Sequence, residues 1–249
     1  MPHREQQEFM QAVKTCFPSY FLNQRVLEIG SANSDGVRRM FTNCEYIGLD
    51  IAPDDFVDVV CPGNEFDAKT ASFDTVLSCE CFEHNPFWLE TFVNMIRVCR
   101  PEGLVLMTCA TTARAEHGTS RSTPAASLST TIGWDYYKNL TVKDFESRLT
   151  LNAHFDTYRF YVNRSSQDLY FLGFKGPADR AMRSRTIEPG FAKLDAMART
   201  IADPRRLPAK KRAVNWVKHA LRYVCLSDAA YQNLSYKLHR MRWLSKVVD

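Results

Sequence analysis

Two acid–histidine pairs, Glu83-His84 and Glu116-His117, a lone Asp50 and a turn opening at Gly30 are the positions of this 249-residue chain best suited to chemistry. A histidine with its ordinary pKa of about 6.5 is largely neutral near pH 7 and can take a proton from an attacking hydroxyl. That makes His84 the first candidate general base and His117 the second. The plainer reading of Glu83-His84 is a helix-start pair that holds a loop, and Tyr136-Tyr137 read as packing residues. Asp50 ends an apolar run, where a carboxylate can accept hydrogen bonds from both hydroxyls of a ribose. It stands twenty residues beyond Gly30, the separation expected for that task. The ligand expected is therefore a nucleoside derivative.

The elements that must hold these residues are legible around them. Arg25-Val26-Leu27-Glu28-Ile29 is a short apolar run, the pattern of a strand buried on both faces. Gly30 breaks it, Ser31 to Gly36 supply turn and N-cap residues, and Val37, Met40 and Phe41 follow at helical spacing. Tyr46-Ile47-Gly48-Leu49 is a second strand closing at Asp50. A dinucleotide would need G-x-G-x-x-G to admit its pyrophosphate, and no second glycine stands at that point here. Downstream the pattern predicts strands at Phe56–Cys61, Phe73–Cys79 and Leu104–Ala110, a helix from Pro86 to Cys99, and a helix start at Thr141 with an acid three residues on. Phe155–Val162 and Leu169–Lys175 flank a hairpin turn. The long Ser- and Thr-rich stretch Thr111–Asn139 is expected to be a substrate lid.

With these residues in place, the chain resembles the class I S-adenosylmethionine-dependent methyltransferases, small-molecule (type 11-like) branch. Glu28-Ile29-Gly30 with Gly36, then Asp50, resemble that family's first two motifs. Phe73-Asp74-Thr75-Val76-Leu77-Ser78 followed by Glu83-His84 resembles its fourth strand and sequel, and Arg97-Val98-Cys99-Arg100-Pro101-Glu102-Gly103 its turn into the fifth. The likeness covers roughly residues 25–175. It implies an α/β fold of three layers, Rossmann-like, with a seven-stranded, mostly parallel sheet whose last strand is antiparallel. It also implies a cofactor, S-adenosylmethionine, and cofactor contacts at Glu28, Gly30, Ser31, Gly36, Asp50, Ile51, Ser78 and Cys79. Where the family often carries an acid for the adenine amino group this chain has Pro62, so Asn64 or the backbone of Gly63 is the expected substitute. Asn85-Pro86-Phe87 superficially resembles the N-P-P-F tetrad of amino-methylating nucleic-acid enzymes, but lacks one proline and lies past the strand end. The rival functions are a nucleotide- or NAD-dependent enzyme on a similar fold and a catalytically silent binding module.

Composition bounds the rest. Hydrophobic residues make up 45% of the chain, enough for a substantial core, and no stretch has the ~18 uninterrupted apolar residues of a membrane span. No secretory signal heads the sequence, and the eight cysteines, with no C-x-x-C pair, read as reduced thiols of a cytoplasmic protein. Cys79-Glu80-Cys81 is the only close pair and lacks two further ligands at zinc spacing, so no metal is expected. Residues 1–175 carry 16 Lys and Arg against 22 Asp and Glu, a balance of −6, whereas 176–249 carry 16 against 6, a balance of +10. The chain is accordingly divided into an N-terminal helix (1–24), a methyltransferase domain (25–176) and a basic helical extension (177–249). In that extension Val214, Val217, Leu221 and Val224 form one stripe, and Leu234, Leu238, Met241, Leu244 and Val248 another. Such stripes pack on the domain or a second subunit, or lie on an anionic membrane through 205–249. No RNA module or aromatic–basic pattern argues for nucleic acid. The expected acceptor is a small molecule or glycan.

Overall fold

The computed structural model describes residues 3–33, 35–176 and 180–247, and the side chains of all of these but 180–186 and 241–247. Ser34, the seam at Pro177, Val248 and the side chains of Met241 and Leu244 lie outside the described residues. Seven strands make one sheet: β1 (Arg25–Ile29), β2 (Glu45–Asp50), β3 (Val59–Val60), β4 (Phe73–Cys79), β5 (Cys99–Ala110), β6 (Phe155–Asn163) and β7 (Asp168–Lys175). Their order is β3-β2-β1-β4-β5-β7-β6. Six strands are parallel and β7 is reversed between β5 and β6. Strand order turns back between β1 and β4, and in open sheets the crevice at such a point, outside the strands' carboxyl ends, receives the ligand.

Alternation along the strands divides two cores. Val26, Leu104, Leu106 and Leu172 face α1 (Arg4–Cys16) and α5 (Arg180–Ile201), meeting Phe9, Val13, Phe191 and Leu194. Leu27, Val76, Val105, Met107 and Phe171 face the other layer, where α3 (Trp88–Val98) supplies Phe92 and Met95 and α4 (Val142–Glu146) supplies Phe145. Each such side chain contributes about 1.5–3 kcal/mol when fully buried. Thr141 and Asp144 close the expected capping box on α4. Helix α5 thus belongs to the α/β layers, although its sequence lies in the basic extension.

Three elements differ from the sequence reading. α2 (Asp35–Arg38) is one turn only, because the amides of Met40 and Phe41 bond three residues back and tighten the chain into a turn. β3 is two residues rather than six. Phe56 gives its carbonyl to Ser31 Oγ (3.0 Å) and Asp58 its carboxylate to the Gly48 amide (2.7 Å), so the backbone before Val59 is committed elsewhere. β5 starts at Cys99, which pairs with Phe73 before an irregularity. In α6 (Ala209–Val224) the buried side chain is polar: Asn215 donates to the Ser165 carbonyl at 2.7 Å. Val214, Trp216, Val217, Tyr223 and Val224 are exposed. α7 (Asp228–Val247) completes the chain, anchored by Tyr231, whose hydroxyl donates to the Ala113 carbonyl. Among the described residues no helix is long and apolar enough to cross a membrane, and no disulfide joins any of the eight cysteines.

Candidate active site

At the carboxyl end of β1 the chain must turn sharply to leave the sheet. Gly30 does this with φ +81°, and a Cβ built on it would lie 2.4 Å from Cys81 Cβ, so glycine is required both by conformation and by space. The amides of Gly30 and Ser31 both donate to the Leu49 carbonyl. Asp50, ending β2, takes the Ala32 amide on one oxygen (3.0 Å) and the Ile51 amide on the other (2.7 Å). Burial pushes its carboxyl up, and those two amides act against the shift.

Gly30, Asp50 and Ile51 line one pocket together with Gly63, Cys79, Glu80, Cys81, His84 and Asn85. Its interior holds about 100 Å³ and opens outward into a mouth continuous with solvent. Part of the long loop after β5 forms its other wall, through Ala125 to Ser129 and Trp134. Nothing in the sequence marked those lid residues individually, since a Ser/Ala run has no periodicity.

The other candidate residues fall elsewhere. Glu28 is buried beneath the turn, accepting the Tyr46 hydroxyl at 2.7 Å. Ser31 is turned to Phe56, and Gly36 lies in α2 against the Gln7 side chain, which a Cβ would approach to 3.1 Å. Ser78 is buried within β4, one residue short of the pocket-lining Cys79. Asn64 is half-buried outside the pocket lining, while Gly63 is in it, its carbonyl held by Asn94 Nδ2 at 2.8 Å.

The two histidines, 33 residues apart in sequence, are brought side by side. Their rings meet edge to face at 5.0 Å, and Tyr137 contacts both. The lid reaches His84 because Gly118, at φ +64°, has no Cβ; one would lie 2.6 Å from His84 Cε1. Burial, with His117 next to it, drives the pKa of His84 down to about 3. Burial and then Arg114 lower His117. An imidazole so shifted is neutral at pH 7 but holds a proton poorly, so the general-base reading of His84 loses the advantage of an ordinary pKa. Glu83 is fully buried behind it, its carboxyl raised to about 8 by burial and then by Glu80.

A profile described as a methyltransferase domain matches residues 1–161. The chain belongs to the methyltransferase domain family. Solved structures similar to this methyltransferase include the 1,6-didemethyltoxoflavin-N1-methyltransferase of Burkholderia thailandensis, at 15% identity, 68% of this chain, 79% of that one and a TM-score of 0.47. A SAM-dependent methyltransferase of Archaeoglobus fulgidus aligns at 15% identity over 68% and 94%, TM-score 0.48. An arsenic(III) S-adenosylmethionine methyltransferase of Chlamydomonas reinhardtii aligns at 16% over 64% and 65%, TM-score 0.44. No curated protein matches the chain.

The S-adenosylmethionine implied by the sequence resemblance is suited by one feature of this methyltransferase: the turn at Gly30 and the partly buried carboxylate of Asp50 open on the same pocket. The pocket is also tied to the N-terminus. Glu80, in its wall, faces His3 at 3.6 Å, and His3 lies 3.0 Å from Asp168, which Arg114 also reaches at 3.1 Å. Burial would lower His3, but the hydrogen bonds and charges of Asp168 and Glu80 raise it to about 10. A group whose folded pKa is raised stabilises fully below its unfolded value and loses that stabilisation as pH rises through the folded one. The melting-temperature loss caused by His3→Ala should therefore be full near pH 6 and shrink between about 6.5 and 10. An equal loss at pH 6 and pH 10 would show that His3 acts only by packing.

Proposed function

We propose that this methyltransferase transfers the methyl group of S-adenosylmethionine to a hydroxyl or amine of a small-molecule or glycan acceptor. The reading rests on one juxtaposition: Gly30, Asp50 and Ile51 share a pocket with His84 and the lid residues Ser127, Ser129 and Trp134. When bound, the cofactor supplies a methyl carbon on a sulfonium that departs as a neutral thioether. Asp50 would accept the ribose hydroxyls, Ile51 would cover the adenine, and the Gly63 backbone would meet its edge. The end of β4 at Cys79 would face the methionine portion, and Glu28 would brace the turn from below. His84 and the lid would orient the acceptor and exclude water, which accounts for most of the acceleration such a displacement needs.

S-adenosylhomocysteine at a hundred times its Kd should stabilise the protein by about 2.7 kcal/mol, and NAD by nothing. A response to NAD would favour a nicotinamide enzyme, and none to either ligand a silent module.

A peripheral membrane contact is supported by α6. Residues 204–227 contain seven Lys and Arg and no acid, beside exposed Trp216, Tyr223 and Val224. Basic helices with such apolar residues settle on anionic lipid. The full chain should sediment with phosphatidylglycerol vesicles and release on reversing Lys210, Lys211 and Arg212 to Glu; equal sedimentation of the two proteins would reject this.

A further inference from the structure

Glu83, His84 and His117 each offer a ligand atom, and these atoms lie within 4.8 Å of one another. We propose that the three form a divalent-cation site bordering the acceptor side of the pocket. The cluster is not merely a crowd of polar groups. The Glu83 carboxyl lies near the backbone amides of Glu83 and Ala110, but neither of its oxygens meets hydrogen-bond geometry with any donor, nor does Nδ1 of His84, and both residues are more than nine-tenths buried. A buried carboxyl and a buried ring nitrogen side by side, neither with a well-placed hydrogen-bond partner, are costly and call for one. A cation would satisfy both at once.

The ring of His117 is set for ligation. Its Nδ1 lies 3.2 Å from the Ala115 carbonyl, so a proton held there leaves Nε2 with a lone pair. Such a backbone bond to the far nitrogen is the usual support of a ligating imidazole. Glu83 is held from behind, its carbonyl accepting the Lys138 amide at 2.9 Å, and Gly118 lets the lid press close to His84. In a tetrahedral shell with bonds of about 2.1 Å the ligand atoms lie about 3.4 Å apart, so closing the trio takes a shift of little more than an ångström. Arg114, whose charge acts on Glu83 and His117, is occupied by Asp168 and the Ser166 carbonyl. A second trio, His3, Glu80 and Asp168, has comparable spacing, but its charges already satisfy one another.

Two imidazoles and one carboxylate select a first-row divalent ion and leave coordination positions open. His84 is the member that lines the pocket, so an open position there can take an acceptor oxygen. On the methyltransferase reading, a hydroxyl or pair of adjacent hydroxyls bound to the ion would lose its proton to water more readily. Local sequence spacing does not reveal this site, because it forms only where the loop after β5 folds over the end of β4.

The test is calorimetric titration of the chelator-treated full chain with Mn²⁺, chosen because the eight cysteines would attract zinc. The expected result is one Mn²⁺ per chain, with Glu83→Gln and His117→Gln each weakening it at least tenfold while the S-adenosylhomocysteine melting shift persists as proof of folding. No uptake by the wild-type chain, or both variants binding as wild type, would overturn the site. Mn²⁺ binding without any S-adenosylhomocysteine response would leave the site standing and remove the methyltransferase reading instead.

Discussion

Asp50→Ala should weaken S-adenosylhomocysteine binding by about a hundredfold to ten-thousandfold. Each oxygen of the carboxylate already holds one backbone amide, of Ala32 or Ile51, and keeps further lone pairs toward the pocket. Two hydroxyls donating to a charged acceptor contribute about 1.5–3 kcal/mol each, and 1.4 kcal/mol is a factor of ten. Because the same carboxylate organises the turn, Asp50→Asn is the informative companion. It keeps an oxygen for one amide and should fall between wild type and alanine. Titration calorimetry, with circular dichroism to confirm folding, reads the effect. Unchanged affinity in the alanine variant would remove the ribose assignment.

Gly30→Ala should lower stability by about 2–4 kcal/mol and leave no measurable cofactor binding. An L-residue at φ +81° costs about 1–2 kcal/mol. The added methyl would also sit 2.4 Å from Cys81 Cβ and 2.7 Å from its sulfur, and a Cβ cannot swing aside as a side-chain tip can. Either β4's end or the turn must move, and both wall the pocket. Chemical denaturation of Gly30→Ala and of Gly30→Ala/Cys81→Gly separates the two contributions. The double variant removes the clash and keeps the backbone strain, so it should recover part of the stability. Wild-type stability in the single variant would mean the turn is not constrained as described.

The sheet was largely written in local pattern. Arg25–Ile29, Phe73–Cys79 and the 155–175 hairpin are apolar or alternating runs bounded by turn residues, and each formed where that pattern put it. The capping box at Thr141 was equally local. Ends were less legible, as α2 and β3 show: what shortened them were bonds from Ser31, Gly48 and the turn at Met40, which link residues through space. Where the stripe of Val214 and Val217 would sit was not legible for a related reason. Periodicity says that a helix has an apolar face, but the fold docked α6 through Asn215.

For the site, residue types and their order along the chain determined that β1's turn and β2's terminal carboxylate would open on one pocket, since parallel neighbours joined by a short crossover bring those two points together whatever surrounds them. Only the tertiary structure decided which side chains share the pocket. It set Ser31 and Gly36 against other partners, drew Ser127, Ser129 and Trp134 into the wall, and laid His117 beside a buried Glu83-His84. The physical reason is that hydrophobic period and turn chemistry act over a few residues, while burial, charge and ligand geometry are properties of neighbours that a long loop carries in from far along the chain.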